Sequence, residues 1–350
     1  MKIRTLLVDG NYLLKRSFYG ANNTSTDKFG NIGGLYQFIT TLRKLIRECK
    51  SNKIVICWDG ENGGIYRHRI DSEYKANRKN KEWHRKIEMT DIEIRRENEK
   101  DESILKQRKR TQAYAEELFL RQIEVDEIEA DDLIAEYCIR YNNKEEIIIY
   151  SQDRDFAQLL DLNIAIIFPN IDQPVTKLNY LRYFKHHYSN ALVLKIICGD
   201  TGDNVQGIGG IGEGILLKYF PELKYRHLSV REICIKANEI NKQRIAEKKK
   251  PLISLVNLLN GIERLKINFQ LVSLRNPILN EKAILELKQL EIPLSPDNRG
   301  SKNLFKMMME DEFLTIYKGT FVNYVEPFYT VIMNEKQLLT EYLKNNKGNL

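Results

Sequence analysis

Acidic side chains follow short apolar segments of the sequence, in positions where they could bind a divalent metal. Asp9 ends the first apolar segment, Asp59 ends the second, and Asp153 and Asp155 follow the third. The carboxyl ends of parallel strands meet at one edge of an open sheet, which is where α/β proteins bind their ligands. We therefore expect these four acids to share one crevice.

Two further acidic motifs are predicted to reach the same crevice. The motif Glu-Ala-Asp-Asp at 129–132 precedes an amphipathic helical pattern that begins at Leu133, and acids are favourable near a helix N-terminus. The motif Gly-Asp-Thr-Gly-Asp-Asn at 199–204 adds two more aspartates. The complete set of candidate metal ligands is Asp9, Asp59, Glu129, Asp131, Asp132, Asp153, Asp155, Asp200 and Asp203.

So many carboxylates in one cleft repel one another unless cations neutralise them or some stay protonated. The motifs offer oxygen ligands and no His or Cys, which favours Mg²⁺ or Mn²⁺ over Zn²⁺. Two such ions would activate a water molecule and stabilise a leaving oxygen in phosphodiester hydrolysis. The alternative is that each motif is a helix cap or a turn, which is the usual role of an isolated Asp-Gly. A calcium loop at 153–155 is a weaker alternative, because apolar residues follow it.

Short apolar runs rich in Ile and Val predict the strands that position these acids. The runs are 5–8, 54–57, 147–150 and 164–168. Apolar residues recur at helical spacing over 35–46 and 133–141, between those runs. This alternation predicts an α/β fold with a largely parallel sheet that helices cover on both faces. After residue 179, helical patterns dominate.

A charged insertion follows the second predicted strand. Between residues 61 and 112, 15 Lys or Arg and 11 Asp or Glu make 26 of the 52 residues charged, so we expect exposed helices or a loop rather than core. The stretch 67–86 carries 8 Lys or Arg against 3 Asp or Glu, with aromatic residues interleaved. Such cations could hold phosphates while the rings stack on bases, with Lys75 and Arg78 near the scissile phosphate. A solvated helical face is the alternative.

A glycine cluster at 207–214 follows a helical pattern over 191–198. It matches the GxGxxG pattern, but a dinucleotide-binding fold requires that pattern after a strand and a ribose-binding acid after a second strand. A glycine turn between helices instead exposes backbone N–H groups that can hold a DNA phosphate without reading its sequence. The alternative for this segment is a simple interhelical turn. The rival function for the protein is a nucleotide-dependent oxidoreductase, which tight NAD binding would reveal.

Seven short motifs occur in an order that is specific to one protein family. They are Val-Asp-Gly, Trp-Asp-Gly, Glu-Tyr-Lys-Ala-Asn-Arg, Glu-Ala-Asp-Asp, Ser-Gln-Asp-Arg-Asp, Gly-Asp-Thr-Gly-Asp-Asn and Gly-Ile-Gly-Gly-Ile-Gly. Over residues 4–220 the sequence thus resembles the 5′-nuclease (flap endonuclease) family, and most closely the tailed-phage 5′→3′ exonucleases of the ribonuclease H type. The resemblance implies a PIN-like 5′-nuclease core at 1–185 with a helical arch inserted at 61–112, and a helical C-terminal domain at 186–350 with a helix-three-turn-helix element at 190–220.

The resemblance also implies roles for the acids and for ions. Glu129, Asp131, Asp153 and Asp155 resemble the family's central metal ligands, Asp9 and Asp59 complete a first site, Asp200 and Asp203 a second, and Asp132 resembles an outer acid. Two Mg²⁺ ions are therefore expected, with Mn²⁺ as a substitute and K⁺ at the glycine turn. The implied catalytic residues are Asp9, Asp59, Lys75, Arg78, Glu129, Asp131, Asp153 and Asp155.

DNA contacts are expected from the charged insertion and the glycine turn. By resemblance, Lys75 engages the scissile phosphate, Arg78 is its basic neighbour, Tyr74 stacks near the 5′ end and Arg16 is the basic residue behind the first aspartate. The candidate DNA-binding residues are Arg16, Arg67, Tyr74, Lys75, Arg78, Gly207, Gly209, Gly210 and Gly212.

The expected activity is a structure-specific, divalent-metal-dependent 5′→3′ exonuclease or flap endonuclease. It would hydrolyse phosphodiesters near the 5′ ends of DNA flaps, nicks and RNA–DNA primers, with ribonuclease H activity and primer removal in replication. The expected partners are DNA, RNA–DNA hybrids, a single-stranded-DNA-binding protein and a sliding clamp, and the chain is expected to be a monomer. The alternative is a catalytically silent protein that binds DNA junctions, which would not need the full set of acids.

Composition sets wider bounds on the chain. The 350 residues carry a net charge of +7, which is compatible with a polyanionic partner. The five cysteines are widely spaced and never form a CxxC pair, which argues against a disulfide framework and a zinc ribbon. No apolar run approaches the roughly 18 residues of a membrane span, and Asp9 comes too early for a signal peptide. We expect a cytoplasmic protein without membrane contact, in the host cytoplasm if a phage encodes it.

Overall fold

A parallel five-stranded sheet forms the centre of the computed structural model, which describes residues 2–21, 26–27, 30–297 and 299–345. The order of strands across the sheet is β5-β4-β1-β6-β7. These strands are β1 (Arg4–Asp9), β4 (Lys53–Asp59), β5 (Arg121–Val125), β6 (Glu146–Tyr150) and β7 (Ala165–Ile167). Two antiparallel pairs complete the strands, namely β2 (Thr26–Asp27) with β3 (Gly30–Asn31), and β8 (Gly199–Asp200) with β9 (Val205–Gln206).

Helices surround the sheet and make up most of the chain after it. The first six are α1 (Gly10–Gly20), α2 (Gly33–Cys49), α3 (Ile65–Ile70), α4 (Ala76–Glu88), α5 (Asp91–Glu117) and α6 (Ala130–Tyr141). The others are α7 (Ala191–Cys198), α8 (Glu213–Tyr219), α9 (Val230–Ala246), α10 (Ile253–Asn260), α11 (Ile262–Val272), α12 (Glu281–Gln289), α13 (Ser301–Glu310), α14 (Phe313–Tyr317), α15 (Phe321–Val325) and α16 (Tyr329–Asn345). Short 3₁₀ helices span Arg154–Leu162, Tyr180–Arg182, Tyr188–Asn190, Pro221–Lys224 and Glu326–Phe328.

The sequence correctly predicts four of the five central strands, and their parallel pairing is confirmed. The missing strand is β5, which pairs in parallel with β4 at the other edge of the sheet. Helix α2 covers the predicted pattern over 35–46, and α6 begins three residues before Leu133. The α/β class with a parallel sheet is therefore confirmed.

The charged insertion forms helices α3, α4 and α5, as expected, but it is not entirely outside the core. Arg67 and Tyr74 are buried near its beginning, and Gln107 and Thr111 are buried in the second half of α5. Gln107 accepts a 3.0 Å hydrogen bond from the Leu35 backbone N–H, which explains why a polar side chain is buried there. The expectation that this segment contributes nothing to the core is wrong for these residues.

Apolar side chains cover both faces of the sheet. One face packs against α6, the 3₁₀ helix Arg154–Leu162 and α12, while the other packs against α1, α2, the end of α5 and α13–α16. A third apolar cluster lies among α7–α11. The division of the chain at residue 185 remains a prediction. Helices α12–α16 follow that residue and pack against the sheet that the N-terminal strands form.

A buried ion pair connects the last helix to the edge of the sheet. The guanidinium of Arg121 on β5 lies 2.6 Å from the Glu335 carboxylate on α16, and both side chains are at most 3% exposed. Arg121 also donates to the carbonyls of Leu290 and Ile292.

No helix in the described residues combines the length and apolar character needed to span a membrane.

Candidate active site

A cleft of about 1060 Å³ at the carboxyl edge of the sheet brings together seven of the nine candidate metal ligands. They are Asp9, Asp59, Glu129, Asp131, Asp153, Asp155 and Asp203. The first two acids end β1 and β4, and the pair after β6 begins a 3₁₀ helix. Parallel strand direction is what places these distant residues at one edge.

Hydrogen bonds fix the acids that follow β1 and β4. Asp9 caps α1 by accepting the Tyr12 backbone N–H at 2.9 Å, and it also accepts the Ser151 hydroxyl at 3.0 Å. Asp59 accepts the Ala130 backbone N–H at 2.8 Å and the side-chain amide of Asn11. Each acid therefore keeps a defined orientation because a neighbouring element donates to it.

Burial and mutual repulsion oppose ionisation of the whole acid cluster. Burial raises the pKa of Asp9 to about 6, and the charges of Asp59 and Asp153 act in the same direction. Burial and the charge of Asp153 raise the pKa of Asp155 to about 7. Burial and the same neighbour hold the pKa of Asp131 well above its ordinary value. Positive charge in the cleft would relieve this repulsion.

Lys195 supplies part of that positive charge. Its Nζ lies 2.8 Å from Asp155 Oδ1 and also contacts Asp200, which is outside the cleft lining. The sequence reasoning missed this residue. The signal that could have found it is that Lys195 is the single charged residue in the otherwise apolar helix α7 and stands five residues before Asp200.

Lys75 and Arg78, at the base of the arch, also bind acids of the cleft. The Lys75 ammonium contacts Glu129, and Arg78 Nη2 lies 2.5 Å from Asp203 Oδ1. Burial alone would raise the pKa of Glu129, but the charges of Lys75 and Arg67 outweigh it and hold that pKa below its ordinary value.

The donor groups of the cleft are chemically suited to a hard divalent ion. Carboxylates are its anionic groups, and neither His nor Cys lines it. In this arrangement, no three His, Cys, Asp or Glu side chains of residues 2–21, 26–27, 30–297 and 299–345 converge so as to hold one ion. The ammonium and guanidinium groups of Lys195, Lys75 and Arg78 share the acids instead, so a bound ion would compete with these contacts.

Comparison with known proteins gives the family. Residues 4–188, more than half of the chain, match the family model described as the N-terminal resolvase-like domain of 5′-3′ exonucleases. The chain belongs to this 5′-3′ exonuclease family. A relative named 5′-3′ exonuclease from Mycoplasmopsis pulmonis is 29% identical over 313 residues, which cover 84% of this chain and 95% of the relative.

Solved structures from phage T5 share the fold. The T5 5′-exonuclease with bound zinc has a TM-score of 0.62 at 19% identity, covering 89% of this chain and 99% of that one. The bacteriophage T5 flap endonuclease in a complex with DNA and metal ions has a TM-score of 0.60 at 19% identity, covering 90% of this chain and 100% of that one. This likeness confirms that the family member has the expected PIN-like 5′-nuclease core.

Three residues of the expected site have different places in this family member. Asp132 is buried outside the cleft lining, where it binds the Arg67 guanidinium at 2.5 and 2.9 Å and accepts the Ile278 N–H, so its role as an outer acid of the metal site remains a prediction. Arg67 is itself 4% exposed and bonded to Glu129 and Asp132, so it is not a surface DNA contact. Tyr74 is likewise 4% exposed and donates to Glu129, so it offers no free face to a base.

Hydrogen bonds join the base of the arch to the β8–β9 hairpin. The Lys75 backbone N–H donates to the Asp203 carbonyl at 2.8 Å, and Asn77 Nδ2 donates to the Thr201 carbonyl at 2.8 Å. In return, Asn204 Nδ2 donates to the Glu73 carbonyl at 2.7 Å. The position of Lys75 is therefore tied to the hairpin that leads into the glycine turn.

The glycine turn separates a packed end from an exposed face. A Cβ on Gly207 would lie 2.1 Å from the Cys198 carbonyl oxygen, so this glycine permits close backbone packing, and its contact with DNA remains a prediction. Gly209, Gly210 and Gly212 are exposed, as a contact surface requires. Arg16 is exposed and donates to the Tyr12 hydroxyl at 3.1 Å, but it lines a neighbouring groove rather than the acidic cleft.

We expect Mg²⁺ to stabilise the fold more strongly above neutral pH than below it. The raised pKa values of Asp9 and Asp155, about 6 and about 7 against an ordinary 3.8, mean that the metal-free fold binds protons the unfolded chain has released. Their stabilising effect is complete below about pH 4 and is lost as pH rises through 6–7. Thermal unfolding in Mg²⁺ and in chelator, at about pH 5 and about pH 8, checks this, and an equal Mg²⁺ shift at both pH values would contradict it.

Proposed function

We propose that this family member is a structure-specific, divalent-metal-dependent 5′→3′ exonuclease and flap endonuclease. The observation that carries the proposal is the acidic cleft at the carboxyl edge of the sheet, with Lys75 and Arg78 of the arch base on its rim. The names of the relatives and the presence of DNA and metal ions in the T5 flap endonuclease complex support it. The substrates would be DNA flaps, nicks and RNA–DNA primers, with primer removal as the biological role.

The acids of the cleft would hold Mg²⁺, and Mn²⁺ has compatible chemistry. The residues proposed to hold it are Asp9, Asp59, Glu129, Asp131, Asp153, Asp155 and Asp203, with Asp200 at the edge. When bound, the ions supply an activated water and neutralise charge on the phosphate.

Lys75 and Arg78 are proposed to hold the scissile phosphate. Arg78 is 60% exposed and its guanidinium can accommodate two phosphate oxygens at once. Lys75 is 22% exposed and faces the same cleft. Both cations are bound to carboxylates in the free protein, so each would exchange a carboxylate partner for a phosphate when the substrate binds. Because these contacts are to phosphate, they do not distinguish DNA from RNA, which is compatible with ribonuclease H activity.

The exposed glycines are proposed to anchor duplex DNA through backbone N–H groups. A K⁺ ion is proposed to bind at the same turn. A Cβ added at Gly209 would meet no atom closer than 3.6 Å, and one at Gly212 would meet none within 4 Å. A larger residue at either position would therefore disturb a bound DNA backbone and not the fold. Such an anchor would set the register of the duplex without reading its sequence.

The proposal is tested by cleavage of a 5′-labelled flap substrate and of an RNA–DNA hybrid, each with Mg²⁺ and with chelator. Short labelled products that require Mg²⁺ are the expected result, and their relative rates rank the two substrates. Firm flap binding without cleavage would favour the silent junction-binding alternative. If the protein neither bound nor cleaved these substrates, the proposed function would be overturned.

Two glycine substitutions should have opposite effects on folding and on duplex binding. Gly209→Ala should leave thermal stability unchanged but weaken duplex DNA binding, because the added Cβ meets no atom closer than 3.6 Å and would lie on the exposed face proposed to contact the DNA backbone. Gly207→Ala should lower thermal stability, because the new Cβ would clash with the Cys198 carbonyl. Thermal unfolding and binding to a blunt duplex measure both effects, and normal duplex binding by Gly209→Ala would remove the turn from the interface.

A further inference from the structure

A concave surface with only basic charge lies beside the catalytic cleft. This basic trough has a volume of about 780 Å³ and contains four cationic side chains, Arg182, Lys185, Lys218 and Lys224, while no Asp or Glu lines it. Four like charges around one concavity create a positive potential that attracts an anionic polymer. The trough therefore has the charge of a nucleic-acid contact, and it extends from the helix-three-turn-helix segment, through Gly214 and Lys218, to cations outside that segment.

The cations of the basic trough are available to a ligand. All four are exposed, and none forms an ion pair with a carboxylate within the part of the chain that the structure describes. Nearby cations behave differently, since Lys236 pairs with Glu222 at 2.7 Å. Phosphate contacts at the trough would therefore not have to break an ion pair among the described residues.

Two tyrosine rings favour a single strand over a duplex as the occupant. Tyr225 is 74% exposed and Tyr183 is 37% exposed, and both line the basic trough. The Tyr183 hydroxyl accepts a 2.7 Å hydrogen bond from Gln173, which orients its ring. Exposed rings within a basic groove are suited to stacking on unpaired bases. A duplex keeps its bases stacked inside, so it could not use these rings in the same way.

The basic trough is continuous with the cleft. Arg182, Tyr183 and Phe184 line both, and the trough then extends along α8 to Lys218. We propose that the trough binds the single-stranded segment of the substrate next to the scissile phosphate, with cations on its phosphates and the tyrosine rings on its bases. This inference rests on the proposed function, because it assumes that the cleft acts on nucleic acid.

The test compares two nucleic-acid substrates in chelator, so that binding is measured without cleavage. One is a nicked duplex with a long single-stranded 5′ flap, and the other is the same duplex without a flap. The Lys218→Ala/Lys224→Ala double variant and Tyr225→Ala are compared with Lys288→Ala, which removes an exposed lysine of α12 that lines neither the trough nor the cleft. Tyr225→Phe is the matched control that retains a stacking ring.

We expect the double variant to bind the flapped substrate more weakly than the wild-type protein does. Its salt dependence should also fall, by about 0.7 in log–log slope for each phosphate that the variant no longer binds. Tyr225→Ala should lose about fivefold or more in affinity for that substrate, while Tyr225→Phe should bind as wild type does. Binding to the flap-less duplex should not change in any variant.

The outcomes separate this inference from the proposed function. One outcome is that the wild-type protein cleaves flaps with Mg²⁺ while the trough variants bind the flapped substrate as tightly as Lys288→Ala does. That result would overturn the proposed role of the basic trough and leave the nuclease proposal intact. An equal loss on the flap-less duplex would show that the trough holds a duplex, which overturns its assignment to a single strand. Failure of the wild-type protein to bind or cleave either substrate would overturn both proposals.

Discussion

Replacing Asp153 by Asn is expected to abolish phosphodiester cleavage while the protein still folds and binds flap DNA. Asp153 accepts the Asp155 backbone N–H at 2.7 Å, a bond that the amide oxygen of Asn can also accept, so the local turn is retained. The substitution removes a negative oxygen from the centre of the acid cluster that is proposed to hold Mg²⁺. The single-turnover rate should therefore fall by more than the roughly 10–100-fold typical of residues that only orient a metal ligand.

A matched control lies in the 3₁₀ helix that follows Asp153. Asp161 is exposed and pairs with Arg275 at 2.9 Å, away from the cleft, so Asp161→Asn should cleave at the wild-type rate. Flap binding in chelator and thermal unfolding show whether both variants are folded. Near wild-type cleavage by Asp153→Asn would remove this residue from the proposed site.

Glu335→Ala should lower the free energy of unfolding by about 3–5 kcal/mol, because it leaves the buried Arg121 charge without its carboxylate. The two carbonyl contacts of Arg121 do not neutralise that charge. Urea unfolding measures the effect. Glu341→Ala, on the exposed face of the same helix, is the matched control and should change the free energy by less than about 0.5 kcal/mol.

The double variant Arg121→Met/Glu335→Leu tests the reason for that loss. Replacing both partners of a buried ion pair by apolar groups is often neutral or stabilising, so this variant should recover most of the stability that Glu335→Ala loses. If Glu335→Ala were no less stable than Glu341→Ala, the buried pair would not hold α16 to the sheet.

The predictable part of the fold is the part whose burial is local in the sequence. Buried parallel strands are continuous apolar runs, so β1, β4, β6 and β7 are evident and the acids after them follow. Strand β5 has no such run, because it begins with the polar residues Arg121 and Gln122. These two are buried or half-buried by partners far along the chain. Gln122 accepts the Trp58 indole N–H at 3.1 Å, and Arg121 pairs with Glu335. Those contacts cannot be read from five residues.

The candidate site shows the same limit among its cations. Arg67 and Arg78 belong to one basic stretch, but only Arg78 remains on the surface. Arg67 turns inward because it bonds to Asp132 and donates to the Leu271 carbonyl of α11 at 2.8 Å. The sequence indicates where charge is concentrated, and tertiary packing decides which charges face a ligand.

The packing of α16 on the sheet has a consequence for the nascent chain on the ribosome. About 320 residues separate the end of β1 from the beginning of α16, and Val331 of this helix packs on the sheet face that contains Leu6 and Val8. At roughly 5–20 residues per second, the ribosome would take roughly 15–60 s to synthesise the intervening chain. During that time the apolar face lacks the cover that α16 provides, so we expect the emerging polypeptide to be a chaperone client until α16 leaves the ribosome.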